Sequence, residues 1–186
     1  QVIRHILLTG LPGVGKTTVI KQLADSLTAH HPEGFFTQEI REHGIRKGFE
    51  LVTLDGRRQL LAHVNLPGPF RVGRYGVDLA GFEKLLKTID LPHSPSGVVI
   101  LDEIGKMECL SQRFMQEVEA LLASSKIVIA TVALKGEGFP AKVKHRPDCL
   151  VVTVTLHNRS TLADTLLPEI ATILSSHKDD PHAASS

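Results

Sequence analysis

The stretch TGLPGVGKTT, Thr9 to Thr18, separates an apolar segment, VIRHILL (Val2 to Leu8), from an amphipathic one, VIKQLADSL (Val19 to Leu27). It sets three glycines, a proline, a lysine and two adjacent threonines at the point where a strand becomes a helix. Gly10 to Thr17 satisfies the pattern GxxxxGK followed by Ser or Thr, the phosphate-binding loop or Walker A element. Glycines let the backbone wrap so that successive N–H groups point at phosphate oxygens, and the positive end of the following helix adds its dipole. A triphosphate is then held mainly by main chain, across Thr9, Gly10, Leu11, Pro12, Gly13, Val14, Gly15, Lys16, Thr17 and Thr18. Lys16 reaches the β- and γ-phosphates in such a loop, and Thr17 offers its hydroxyl to Mg²⁺.

Outward from this loop, strands alternate with helices. Val2 to Leu8, interrupted only by Arg4 and His5, suits a strand buried on both faces. From Gly15 to about Ala29, Val19, Ile20, Leu23 and Leu27 recur at three- and four-residue intervals and give one helical face. Between Phe35 and His63 the segments FFTQEIR, KGFELVTL and RRQLLAH are separated by EHG and by Asp55-Gly56, a hairpin signal, so an antiparallel insertion is expected there. DLAGFEKLLKT, Asp78 to Thr88, predicts a short helix capped by Asp78, and PHSPSG a surface loop. Val98 to Leu101 predicts a strand ending in Asp102-Glu103. Ser111 to Leu122 predicts a helix whose face carries Phe114, Val118, Leu121 and Leu122. Two more strands are expected at Lys126–Ala133 and Cys149–Thr155, then a helix from about Asn158 to Leu174 that Pro168 kinks or restarts. The pattern predicts an α/β fold: a mostly parallel sheet with helices on both faces and an antiparallel hairpin insertion. One domain is expected over residues 1–176 and a frayed polar tail over 177–186.

In such sheets ligands bind beyond the carboxyl ends of the strands, where the loops after Leu8 and Leu101 both emerge. VVILDEIGKME, Val98 to Glu108, matches Walker B: Asp102 holds Mg²⁺, and Glu103 falls where a general base can deprotonate an attacking water. Asp102 to Gly105 also reads as DxxG, which puts the Gly105 amide on the γ-phosphate, and Lys106 is a further cation beside it. In RVGRYGVDL, Arg71 or Arg74 could act as an internal arginine finger, or both could pair with surface carboxylates while Tyr75 stacks on the base or simply packs. Thr131 ends a strand where a polar residue can sense the γ-phosphate. No NKxD guanine-reading motif is present, so strong guanine selectivity is not expected.

The totals narrow the partners. Hydrophobic residues at 42%, charged residues at 22% and a net charge of +1 in 186 residues describe an ordinary globular protein and give no support to nucleic-acid binding. No segment approaches the roughly 18 apolar residues of a membrane span, so a cytoplasmic protein without a membrane partner is expected. Cys109 and Cys149 show no CxxC spacing and suit buried thiols of a reducing compartment, and the ten histidines form no ligand cluster.

At these motifs the chain resembles the cancer-related nucleoside-triphosphatase family, close to its vertebrate members. The resemblance rests on TGLPGVGKTT, GFFTQEIRE, GFELVTLDG, RVGRYGVDL, LDEIGKMEC and the late TLHNR, and runs in order along nearly the whole chain. Cys109 departs from the leucine usual at that place. What the resemblance implies is a monomeric P-loop enzyme of RecA-like fold. It further implies slow Mg²⁺-dependent hydrolysis of ATP, GTP and other nucleoside triphosphates to diphosphate and phosphate, with nucleotide contacts on Thr9 to Thr18, Asp102 and Glu103. From the residues alone two other chemistries stay open. One is a nucleotide or small-molecule kinase, for which Arg57, Arg58, Arg71 and Arg74 are the available lid arginines. The other is a nucleotide-dependent binding switch.

Overall fold

His5 to Thr9 are buried along their whole length and form β1, and the turn of glycines beyond it delivers the chain into α1 (Lys16–Ser26). In the computed structural model, which describes residues 2–178, the chain then builds β2 (Glu33–Glu42), β3 (Ile45–Thr53), β4 (Arg58–His63), β5 (Arg71–Val72) and β6 (Tyr75–Val77). There follow α2 (Leu79–Ile89), β7 (Val98–Ile104), α3 (Gln112–Ala123), β8 (Ile127–Val132), α4 (Phe139–Lys144), β9 (Cys149–Thr153) and α5 (Leu162–Lys178).

Among the described residues all nine strands join one sheet in the order β5-β6-β4-β3-β2-β7-β8-β1-β9. From β2 to β9 every pairing is parallel, and from β2 outward to β5 every pairing is antiparallel. The expected insertion is thus an antiparallel wing that continues the parallel sheet. Strand alternation divides the core into two layers. Leu7, Val99, Leu101 and Val128 face Phe82 and Leu86 of α2 and Phe114 and Val118 of α3. Ile6, Leu8, Ile100 and Ile129 face Val19, Ile20 and Leu23 of α1 and Leu166 and Ile170 of α5. Both faces are therefore covered, as the unbroken apolar strands require.

Two local details show how sequence exceptions are absorbed. His5, the polar interruption of β1, is fully buried; its Nδ1 accepts from Val128 N at 3.2 Å and its Nε2 lies 3.2 Å from Leu122 O. Burial lowers its pKa to about 4, so it sits there as the neutral ring. Gly34, at the entry to β2, has φ +135° and pairs with Ile100 so closely that a Cβ would lie 1.8 Å from the Ile100 carbonyl oxygen. Only glycine lets the wing dock against β7 at this point.

The structure departs from expectation in four places. β7 runs on through Asp102 and Glu103 to Ile104, so both acids belong to the strand. α4 and the short β5–β6 hairpin appear where no element was expected. α5 starts at Leu162 rather than Asn158, because Thr155 and Asn158 hold a turn: Thr155 N donates to Asn158 Oδ1 at 2.8 Å and Asn158 N to Thr155 Oγ1 at 3.2 Å. The helix then continues through Pro168 to Lys178; from 179 onward the expected tail lies outside the described residues. Asp78 caps α2 as expected, accepting from Gly81 N at 2.9 Å.

Candidate active site

The phosphate-binding loop and the acidic end of β7 emerge at one edge of the sheet, with β8 between their strands. Gly10, Gly13 and Gly15 all have positive φ, and Gly15 starts α1 without a side-chain cap, so the first amides of the helix carry no competing side-chain acceptor. Lys16 Nζ donates to the carbonyls of Gly10 at 2.9 Å and Leu11 at 3.2 Å, folding its ammonium over its own loop. Arg159, from the turn after β9, donates to Val14 O at 3.3 Å and braces the loop from behind.

Asp102 is the centre of the arrangement. It is 2% exposed, and its Oδ2 accepts from Thr17 Oγ1 at 2.8 Å and Thr37 N at 3.2 Å, while Oδ1 accepts from Thr131 Oγ1 at 2.6 Å. The Thr37 hydroxyl donates to the Asp102 carbonyl. Desolvation raises the Asp102 pKa, opposed by Thr131, Thr17, Thr37 and the positive charge of Lys16. Thr17 and Asp102 thus present a hydroxyl and a carboxylate side by side, an all-oxygen donor pair of the kind a hard divalent cation takes while keeping waters and phosphate oxygens as its other ligands. Among the described residues no group of three or more His, Cys, Asp or Glu side chains could hold a metal by itself.

A cavity of about 700 Å³ opens over these groups. The expected residues Pro12, Gly13, Gly15, Lys16, Thr17, Asp102 and Glu103 line it. Thr9, Gly10, Leu11, Val14, Thr18 and Gly105 do not. Thr9 is buried, its hydroxyl donating to Val132 O at 3.0 Å, and Val14 packs in the core, whereas Leu11 and Thr18 face outward. Gly105 sits against the carboxyl groups of Glu103 and Glu108, within about 3 Å of where its Cβ would be. Lys106 lies with them around a smaller adjoining cavity of about 280 Å³. The Thr131 hydroxyl is committed to Asp102.

The far wall comes from the wing: Thr37, Glu39, Arg46, Phe49 and Tyr75 all line the cavity, and of these the sequence points only to Tyr75. Arg71 and Arg74 do not line it. Arg71 donates to Leu66 O at 3.4 Å and Arg74 O at 2.9 Å, and Arg74 to Arg46 O at 2.8 Å and Tyr75 Oη at 3.0 Å, so both hold the wing together. Thr37 lies just past the last parallel pair, Phe35 with Leu101, and reaches Asp102 by hydrogen bonds that the sequence does not reveal.

Three carboxyl groups crowd the end of β7. Burial raises the Glu103 pKa, with Lys16 opposing and Asp102 reinforcing the shift. Glu108 is 5% exposed, and burial, reinforced by the negative charge of Glu103, pushes its pKa up to about 8. A carboxyl that binds its proton more tightly folded than unfolded makes stability fall as pH rises from its ordinary pKa to the raised one. Between about pH 4.5 and pH 8 Glu108 therefore takes stability away, while His5, neutral when buried, adds it as pH rises from about 4 to 6.5, and Glu108→Gln should remove the Glu108 share, about 2–4 kcal/mol. Urea denaturation of both proteins at pH 5 and pH 8.5 checks this; parallel slopes would show that Glu108 ionises freely. Both cysteines are free thiols. Burial drives Cys109, half-buried, up to about 12 and Cys149, buried, up to about 11, which makes both poor nucleophiles. Among the described residues no helix is long and apolar enough to cross a membrane.

A family model described as NTPase matches residues 5–167. The nucleoside-triphosphatase THEP1 of Thermotoga sp. (strain RQ2) is 42% identical over 163 residues, 87% of this chain and 92% of that protein. The cancer-related nucleoside-triphosphatase of Homo sapiens is 40% identical over 191 aligned positions, 94% of this chain and 98% of its own. The crystal structure of THEP1 from Aquifex aeolicus superposes with a TM-score of 0.82 at 29% identity, covering 89% of this chain and 98% of that one.

Proposed function

The chain belongs to this NTPase family, and on the geometry of its cavity we propose that it is a Mg²⁺-dependent nucleoside triphosphatase hydrolysing ATP, GTP and other nucleoside triphosphates with low base selectivity. One observation carries the reading. Thr17, from the phosphate-binding loop, touches Asp102, from the end of β7, and Glu103 stands next to them in the same cavity.

In this reading the loop amides grip the phosphates and Lys16 spans the β- and γ-groups. Thr17 and Asp102 would hold Mg²⁺, which would supply charge neutralisation for the phosphates. Glu103 orients a water and takes its proton as the oxygen bonds to the γ-phosphorus. The bridging P–O bond breaks with its electron pair left on the β-phosphate, giving diphosphate and inorganic phosphate. The raised pKa of Glu103 brings the base nearer to neutral pH, where general-base assistance is most effective. The wall of the cavity mixes Phe49 and Tyr75 with Gln38, Glu39 and Arg46, and the sequence holds no NKxD guanine-reading motif, which supports low selectivity. Residues 1–176 act in this reading as one domain, supported by the single sheet that carries both halves of the cavity, and as a monomer.

The test follows phosphate release from ATP, GTP, CTP and UTP, with and without Mg²⁺ and with candidate small-molecule acceptors. Release from all four within about tenfold of one another, one or two orders of magnitude below the typical kcat near 10 s⁻¹, and only with Mg²⁺, is the expected result. Phosphate appearing on an acceptor instead of in solution would make the protein a kinase.

A further inference from the structure

Among the described residues three cationic side chains line the cavity: Lys16, Lys21 and Arg46. Lys16 belongs to the phosphate-binding loop. Lys21 is exposed on α1, with its ammonium 5.4 Å from the centre of the Phe36 ring. Arg46 arrives from the other direction. In the strand order β3-β2-β7-β8-β1, it sits on β3 while the loop follows β1, and the acidic end of β7 lies between them.

The Arg46 guanidinium is fixed on three sides. Its Nε donates to Tyr75 Oη at 3.0 Å, its Nη1 to Glu39 Oε1 at 3.0 Å, and the group lies 5.2 Å from the centre of the Phe49 ring. Arg74 reaches the same phenolic oxygen from the wing, at 3.0 Å, and donates to the Arg46 carbonyl, so backbone and side chain are held together. Nη2 makes no hydrogen bond among the described residues. A planar fork with two nitrogens anchored and one free, preset in a cavity, is an arrangement suited to charge that develops during a reaction, because little reorganisation is needed when the charge appears.

We propose that Arg46 is the catalytic cation of this site, supplied in cis by the wing, and that its free nitrogen contacts the γ-phosphate as the bond to the β-phosphate breaks. The proposal rests on the triphosphatase reading above and names the residue that completes it. A finger arginine in phosphoryl transfer is worth about 10³–10⁵-fold. Part of the Arg46 charge is already matched by Glu39, at 3.0 Å, so the contribution here falls at or below the lower end of that range.

The experiment compares Arg46→Ala, Arg46→Lys and Arg71→Ala with the parent protein. It measures single-turnover hydrolysis of MgATP, affinity for a non-hydrolysable ATP analogue, and trapping of MgADP by aluminium fluoride. Arg46→Ala should lower kcat about 100-fold while analogue affinity stays within about threefold, which also shows that the fold is intact. Aluminium fluoride trapping should be lost. Arg46→Lys should recover less than about tenfold, because an ammonium lacks the fork. Arg71→Ala should stay within about threefold of the parent protein. A kcat for Arg46→Ala within threefold overturns the proposal. So does analogue affinity falling in step with kcat, or an Arg71→Ala loss as large as that of Arg46→Ala. A parent protein that releases no phosphate from any triphosphate would instead defeat the underlying reading.

Discussion

Glu103→Gln is expected to bind Mg-nucleotide at least as well as the parent protein while hydrolysing it about 10³-fold more slowly, within the range ascribed to general-base assistance. The two side chains have the same shape, so the cavity wall is preserved, but a carboxamide accepts no proton from water. The charge balance sets the sign of the binding effect. Glu103 stands among Asp102 and Glu108, and its negative charge raises the pKa of Glu108. Removing it takes one of three crowded acids out of a site that must receive a polyphosphate, so affinity should rise modestly and the Glu108 pKa should fall. Calorimetric titration with a non-hydrolysable analogue, beside single-turnover phosphate release, separates the two effects. Turnover within tenfold of the parent protein would remove Glu103 from the chemistry and point to water positioned by main chain alone.

Lys16→Ala should have an effect at least as large, and on both parameters. Removing a preset donor from developing charge costs about 10²–10³-fold in kcat. The same ammonium also meets the ground-state phosphates, so KM should rise about tenfold as well. A second signature follows from the electrostatics of the apo protein: the positive charge of Lys16 opposes the upward pKa shifts of both Asp102 and Glu103. Without it both carboxyls hold their protons to higher pH, and the acidic limb of the pH–rate profile should move upward. Lys16→Arg should not restore activity, since the ammonium is seated between the Gly10 and Leu11 carbonyls at 2.9 and 3.2 Å, where a wide planar fork has no equivalent place. Residual hydrolysis whose pH profile is unchanged would show that Lys16 serves the loop's shape rather than its ligand.

What the sequence revealed of this site follows from where its parts lie along the chain. Gly10 to Thr18 is legible because every group that acts there is a neighbour of the next, and the required strand and helix flank it directly. Asp102 is legible from the apolar run before it, yet the end of the strand is not. Two acids inside a strand violate the local pattern, and Asp102 is tolerated because Thr17, Thr37 and Thr131 donate to it from three other segments. Arg46 could not be singled out among the wing arginines by type or spacing. Its difference from Arg71 and Arg74 is that β3 turns it toward the cavity, while theirs bind main chain. Glu108 carries no signal of burial in its sequence and is buried by a tight turn after β7.

The same distinction holds for the fold. The long alternating and helical segments declare themselves by period, whereas α4 is six residues with Pro140 near its start, too short for a period to register. The β5–β6 hairpin has strands of two and three residues, and RVGRYGV therefore drew attention to its charges rather than to its pairing.

Asp102 receives hydrogen bonds from the head of α1, from the wing strand β2 and from the central strand β8, on a carboxylate that is 2% exposed. Three parts of the molecule that never meet in sequence are lashed to one knot. A disturbance at that carboxylate therefore reaches the helix head, the wing and the heart of the sheet at once.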